Sequence, residues 1–298
     1  LGWALKIKFE CPSCLVNRAC VESERASSDP SVRLKALLEA VSAIGSYACL
    51  NVTPAYLGTI RDRAIKRASG NNDPFRQDKL TSNETALKLL PQAQDYVLQA
   101  PDRSQRFRRA CLVSIVGNAF EFGIKGYDFR YDSLPFWIQA AETDLAIDHT
   151  GRIETIAKRV KRVLLLTDNA GEIAFDKILV DQLKQMGLHV TVAVKAGPIS
   201  NDATLEDALM VGMTETADEV ITTGTDSVGL IFEECSKEFL KTYTEAELVI
   251  AKGMAHYETF SEHRVAHPHA LLFRVKCMPI ANDLHVDLGK NIAYLIEP

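Results

Sequence analysis

Val163-Leu164-Leu165-Leu166-Thr167-Asp168-Asn169-Ala170-Gly171-Glu172 reads as an apolar strand that turns sharply into a helix, and two later stretches repeat its plan. Residues 190–194 lead through Gly197 and Pro198 to Asn201 and Asp202, and residues 248–251 lead to Lys252, Gly253 and Met254. Short β-rich runs that alternate with helical stretches predict a mostly parallel sheet with helices on both faces. In such a sheet ligands bind outside the carboxyl ends of the strands. Asp168, Asn169, Asn201, Asp202 and Lys252 would then share one crevice, a set suited to a metal-assisted phosphate site.

Working outward, the pattern predicts strands at 163–166, 190–194, 219–221, 248–250, 270–275 and 291–296, with helices over 173–186, 205–210 and 230–241. Before about residue 160 the pattern is helical. Leu34, Leu37, Leu38, Val41 and Ile44 recur at helical spacing and predict one buried stripe. Thr53-Pro54 opens a further helix through Leu57, Ile60 and Ile65, closed by the breaker cluster at 69–74. Helices are also expected over 82–90, 91–100, 104–121 and 135–140. The chain thus divides into a helical domain, 1–160, and a Rossmann-like α/β domain, 161–298.

A chain of 298 residues that is 47% hydrophobic can bury one large core or two modest ones. Its 34 basic and 39 acidic residues leave a net charge of −5, without the basic footprint that a phosphate-backbone binder needs. No nucleic-acid partner is expected. No apolar run approaches the ~18 residues of a membrane span, so a cytoplasmic protein without membrane contact is expected. Seven cysteines are an odd number spread along the chain, which argues against a secreted disulfide framework. The single close pair, Cys11-Pro12-Ser13-Cys14, has the spacing of half a zinc site or of a redox pair. A full zinc site needs four ligands and no second close Cys or His pair stands at a fitting distance, so structural thiols are the favoured reading, with Cys20 a third ligand for the zinc alternative.

The polar strand ends each admit two readings. Asp168 or Asn169 suits the cap of the helix that follows, with Gly171 permitting the turn; together with Asp202 they also supply the oxygens that a hard cation takes. Asp168 and Asp202 are 34 residues apart, the length of one βα unit and a return strand. Gly171 and Glu172 begin a helix whose N–H groups could approach an anion. Lys252 suits a solvated strand end or a point charge on a phosphate. Asp226, Tyr257 and Glu258 are turn or capping residues or substrate contacts, as are Asn118 and Glu121 on the longest helix. No G-x-G-x-x-G, Walker P-loop, H-E-x-x-H or G-x-S-x-G is present.

Asp168-Asn169-Ala170-Gly171-Glu172, the 197–204 stretch Gly-Pro-Ile-Ser-Asn-Asp-Ala-Thr, and Lys252-Gly253-Met254 resemble motifs of the metal-dependent damage-control phosphatases, first catalogued as domain-of-unknown-function family 89. Phe9-Glu10-Cys11-Pro12-Ser13-Cys14, Asp73-Pro74-Phe75-Arg76, Gly117-Asn118 and Lys276-Cys277-Met278-Pro279 resemble the compact, largely archaeal branch of that family. The resemblance runs nearly end to end. It implies a helical domain on a Rossmann-like domain and a divalent cation (Mg, Mn, Co or Ni) on Asp168, Asn169 and Asp202. It also implies Lys252 on the substrate phosphate, and hydrolysis of small phosphorylated metabolites such as sugar phosphates. His256 stands where the family's asparagine is expected. A carboxyl methyltransferase using S-adenosylmethionine, or a non-catalytic metabolite-binding module, would use the same kind of sheet.

Overall fold

The structure, a computed structural model, describes residues 5–117, 140–261 and 264–298. Helices α1 (Cys11–Ala26), α2 (Pro30–Tyr47), α3 (Pro54–Ser69), α4 (Arg76–Leu98) and α5 (Arg103–Gly117) come first. They are followed by β1 (Leu145–Asp148), α6 (Thr150–Ala157), β2 (Arg162–Leu166), α7 (Glu172–Gln185), β3 (His189–Val194), α8 (Leu205–Met210), α9 (Met213–Thr216) and β4 (Glu219–Thr222). The chain ends with α10 (Lys237–Glu245), β5 (Leu248–Lys252), α11 (Met254–Phe260), β6 (His269–Arg274), α12 (Met278–Leu284) and β7 (Asn291–Ile296). No helix of the described residues is long and apolar enough to cross a membrane.

The seven strands lie in the order β1-β7-β6-β5-β2-β3-β4, parallel except where β7 meets β6. Side chains alternate across the sheet with period two. Val163, Leu165, Val190, Val192, Leu248 and Ile250 join one core with α4, α5 and α7. Leu164, Leu166, Ala193, Val249 and Ala251 face the other, with Phe239, Phe260 and Ile280. Helices therefore cover both faces, and β2 and β5 are buried on either side.

The topology also fixes where a ligand can sit. After β2 the chain passes to β3 on one side, and after β4 it returns to β5 on the other, so the strand order reverses beside β2. Such a switch point leaves a crevice at the carboxyl ends, here the ends of β2, β3 and β5.

Several local expectations differ from the structure. Residues 145–148 were expected to continue the helical pattern, yet they pair with β7, so a cut near residue 160 leaves an edge strand on the helical side. The expected break at Pro91 is absent: α4 runs through it, because Ala86, Leu89, Leu90, Ala93 and Val97 all bury against the sheet core. That burial outweighs the ~3 kcal/mol cost of an interior proline. Helix α2 buries Ala36, Ala40 and Ile44 rather than the leucine stripe, leaving Leu34, Leu38 and Val41 exposed. The helix expected over 230–241 starts late, at Lys237, where the Ser236 hydroxyl caps it by accepting from Phe239 N at 3.1 Å. Most of the helix expected at 135–140, and the end of that at 104–121, lie outside the described residues.

Candidate active site

The loops that follow β2 and β3 are joined by main-chain hydrogen bonds, and this brings the predicted cation ligands together. Thr167 N donates to Ala193 O at 3.1 Å, Ala203 N to Asp168 O at 2.8 Å and Ala170 N to Asn201 O at 2.9 Å. Asn169 and Asp202 form an antiparallel bridge pair. Asp168, Asn169 and Asp202 all line one cavity of about 290 Å³ at the carboxyl edge of the sheet. Asn169 is held in a defined sense. Its Nδ2 donates to Asp168 Oδ2 at 2.8 Å and to Glu172 Oε2 at 3.0 Å, so both amide protons are engaged and Oδ1 is the atom left to serve a ligand. Two carboxylates and an amide oxygen form a donor set that fits a hard cation. Among the described residues no group of three or more His, Cys, Asp or Glu side chains is arranged to hold a metal ion.

The loop carrying Asp202 is held from the helical half. Ser200 has φ of +48°, a left-handed conformation that side chains disfavour, and its N–H donates to Asp62 Oδ2 at 2.7 Å. Lys66 Nζ donates to Pro198 O at 2.5 Å. Helix α3 thereby fixes the loop against the strain of its own turn. Burial pushes the Asp202 carboxyl up to about 6, with Lys195 and Arg18 pulling against it.

Lys252 is placed differently from the sequence expectation. Its Nζ is fully buried and donates to Glu172 Oε1 at 2.5 Å, Asp176 Oδ1 at 2.7 Å and Ser114 O at 2.9 Å. An ammonium has three protons, and three internal acceptors take them, so none remains for a phosphate. Burial disfavours the charged ammonium, but Asp176 and Glu172 outweigh it and its pKa is raised. Burial pushes Asp176 up to about 6, against the pull of Lys252. Glu172, expected at the substrate, is likewise fully buried and bridges Lys252 to Asn169. A chain of contacts thus runs Lys252–Glu172–Asn169–Asp168 behind the cavity wall.

The other expected residues divide. Glu258 lines the cavity, and burial pushes its carboxyl up to about 7. Gly171 N donates to Asn83 Oδ1 at 2.7 Å, so α4 rather than a substrate anion takes that N–H. Asp226 lies away from the cavity, bound to Arg63 at 2.7 Å and Lys66 at 3.0 Å. The Tyr257 hydroxyl donates to Asp283 and its ring lies against Phe273. His256 is buried, with Nδ1 on Lys252 O at 2.6 Å. Asn118, Glu121 and His263 lie outside the described residues.

Gly253 closes the wall beside the ligands. It adopts φ +79° and ψ 161°, and a Cβ there would overlap the Asp168 carboxylate. Gly253→Ala is therefore expected to lose about 1–3 kcal/mol of stability and to displace Asp168. Urea unfolding with an unchanged m-value checks the first effect, and loss of turnover the second.

The description "Damage-control phosphatase ARMT1-like domain" matches residues 7–292. The chain belongs to this family. A "Damage-control phosphatase" of Archaeoglobus fulgidus is 34% identical over 294 residues, covering 98% of this chain and 100% of the relative. "Damage-control phosphatase PH1575" of Pyrococcus horikoshii is 32% identical over 287 residues, covering 96% of each. The crystal structure of a duf89 family protein, PH1575 of Pyrococcus horikoshii, superposes with a TM-score of 0.85 at 31% identity, covering 97% of this chain and 98% of that one. The names of these relatives support a phosphatase role in the family.

In this damage-control phosphatase fold the helical half supplies two residues that the sequence reading did not single out, Arg18 of α1 and Arg61 of α3, which line the cavity with Lys276 of the Lys276-Cys277-Met278-Pro279 motif before α12. Arg61 is buried, with Nε on Glu22 Oε2 at 3.1 Å. Its signal was present in the sequence: Arg61 shares the buried stripe of α3 with Leu57, Ala64 and Ile65, and a charge on such a stripe has to meet a partner. Arg18 acts on both Asp202 and Glu258, opposing the rise that burial gives each carboxyl. No local pattern marks it.

Proposed function

We propose that this chain is a divalent-cation-dependent phosphatase that hydrolyses small phosphate monoesters. The observation that carries this reading is the joining of the β2 and β3 loops, which supports Asp168, Asn169 Oδ1 and Asp202 as one oxygen set in a cavity that Arg18, Arg61 and Lys276 also line. Those three residues would hold the cation, which when bound supplies Lewis-acid neutralisation of the phosphoryl oxygens.

This chain's own groups do the rest. Arg18 and Lys276 attract and orient the dianionic phosphate in the cavity, where low polarity strengthens each charge. Glu258, whose carboxyl burial pushes up to about 7, gives its proton to the leaving oxygen in its protonated form, and water attacks phosphorus from the opposite side. An alcohol and inorganic phosphate result. Lys252 and Glu172 do not touch the substrate in this mechanism; they hold Asn169 so that Oδ1 is presented.

The test is phosphate release from p-nitrophenyl phosphate and from a small sugar phosphate, with Mg, Mn, Co and Ni supplied in turn. Turnover is expected with at least one of these cations and is expected to disappear in EDTA. A ligand that binds only the native state raises apparent stability, so the productive cation should also raise Tm. Undiminished turnover by protein verified as metal-free overturns the reading. So does stabilisation by S-adenosylmethionine with no response to any cation.

A further inference from the structure

The Cys11/Cys14 pair meets a third thiol in the folded chain. Cys11 and Cys14 stand one turn apart at the start of α1, and Cys277, at the cap position of α12, lines the same cavity with them. All three are free thiols. Cys20, the third ligand offered for zinc, does not line that cavity, and the described residues contain no metal cluster built on cysteine. Three thiols on one cavity wall can carry thiol chemistry.

The three sulfurs differ in access. Cys14 is exposed, Cys11 is buried and Cys277 is half-buried. Cys11 Sγ accepts a hydrogen bond from Lys8 N at 3.3 Å. Burial raises the pKa of the Cys11 thiol and pushes that of Cys277 up to about 11, and the nearby Glu258 carboxylate adds to both rises. Less accessible and with raised pKa values, Cys11 and Cys277 are poorly suited to meet an oxidant from solution, which leaves Cys14 as the attacking group.

The backbone allows the pair to close. Side chains at i and i+3 of a helix have Cβ atoms ~5–6 Å apart, whereas a disulfide needs about 3.5–4.5 Å. The difference has to come from tightening the first turn. That turn is already weakly tied: Cys14 N reaches Glu10 O at 3.4 Å, long for a helical bond, and Pro12 has no N–H to lose.

The geometry points to a thiol modification site in the wall of the catalytic cavity, at which a Cys11–Cys14 disulfide forms and lowers turnover. The Cys14 thiolate attacks a low-molecular-weight disulfide, forming a mixed disulfide and releasing one small thiolate. Cys11 then gives up its proton to solvent and attacks the Cys14 sulfur, and the second small thiolate leaves. The protein dithiol is oxidised by two electrons and the small disulfide is reduced to two thiols. The tightened turn carries Glu10, Cys11 and Cys14 of the cavity wall, with Arg18 one turn further along the same helix, so the anion-binding side of the cavity shifts with it.

The experiment equilibrates the full chain with graded ratios of oxidised to reduced glutathione, quenches free thiols by alkylation, and maps the tryptic peptide that begins at Phe9 and ends at Arg18. That peptide is expected two hydrogens lighter and unalkylated at oxidising ratios, and dithiothreitol is expected to restore it. Phosphate release, compared as oxidised over reduced for each protein, is expected to fall several-fold for wild type and to stay near one for Cys14→Ser. Cys11→Ser is expected to stop at the glutathione adduct on Cys14. A bond mapped to Cys277 overturns the assignment, as does a peptide that stays dithiol at every ratio. A disulfide that leaves the rate unchanged, or an equal fall in Cys14→Ser, overturns the functional link. The rate arm rests on the phosphatase reading and the mapping arm does not, so failure of that reading and failure of this one are told apart.

Discussion

Asp168→Ala is expected to lower kcat for phosphate release on the order of 10³-fold, about 4 kcal/mol of transition-state stabilisation, with the fold retained. The fold persists because the bond that joins the two loops at this point, from Ala203 N to Asp168 O at 2.8 Å, uses the main chain and not the carboxylate. What is lost is one of two carboxylates in the oxygen set, together with the acceptor that orients Asn169 Nδ2. Asn169→Asp separates these two roles. It keeps an oxygen for the cation but removes both amide donors and sets a third carboxylate against Asp168 and Glu172, so it is expected to be as damaging as Asp168→Ala. Single-turnover kinetics beside cation binding by calorimetry gives the check. An Asp168→Ala protein with near wild-type kcat and cation affinity removes the carboxylate from the mechanism.

That Asp168, Asn169 and Asp202 meet at one cavity could be read in the sequence from the position of each along the chain. Each follows an apolar run of strand length and precedes a helix or turn signal, and in a parallel sheet that position alone sends a residue to the carboxyl edge. At Lys252 the same logic did not foresee the internal partners that the structure shows. Every residue of β5 is buried, so the period-two pattern that sorts faces has no polar side to mark, and the strand's last residue points beneath the site instead of into it. The missing signal lay on another element. Glu172 and Asp176 stand four residues apart among the buried positions of α7, and two acids on an apolar helix face call for a buried cation. Arg18 comes to the cavity through packing between distant elements, for which neither periodicity nor motif spacing carries a mark. Edge strand β1 escaped for a related reason: four residues at a sheet margin, alternately half-buried and exposed, carry too little pattern to stand out from a helical neighbourhood.

Lys252→Met is the second variant with a large expected effect, and it decides between a phosphate clamp and an internal prop. In the wild-type protein the ammonium is the centre of a buried cluster, bonded to Glu172 at 2.5 Å and Asp176 at 2.7 Å. Removing it leaves two carboxylates facing each other without a cation, and breaking a buried pair in this way costs about 3–5 kcal/mol. The loss has a pH signature. Burial pushes Asp176 up to about 6, and Lys252, with the Ser114 hydroxyl, pulls against that rise. Without the pull of Lys252 its folded pKa moves further above the unfolded value, so the variant's stability is fully present below the unfolded pKa and is lost as pH rises through the folded one. Urea midpoints are therefore expected to show the variant far weaker than wild type at pH 8 and closer to it at pH 5. Kinetics gives the second readout. With Glu172 released, Asn169 loses its orientation, so kcat falls and cation affinity falls with it, while KM for the phosphate ester changes little. A stable Lys252→Met protein that binds the cation normally and fails only through a raised KM would return Lys252 to the phosphate and break the Lys252–Glu172–Asn169 chain of contacts as an account of the site.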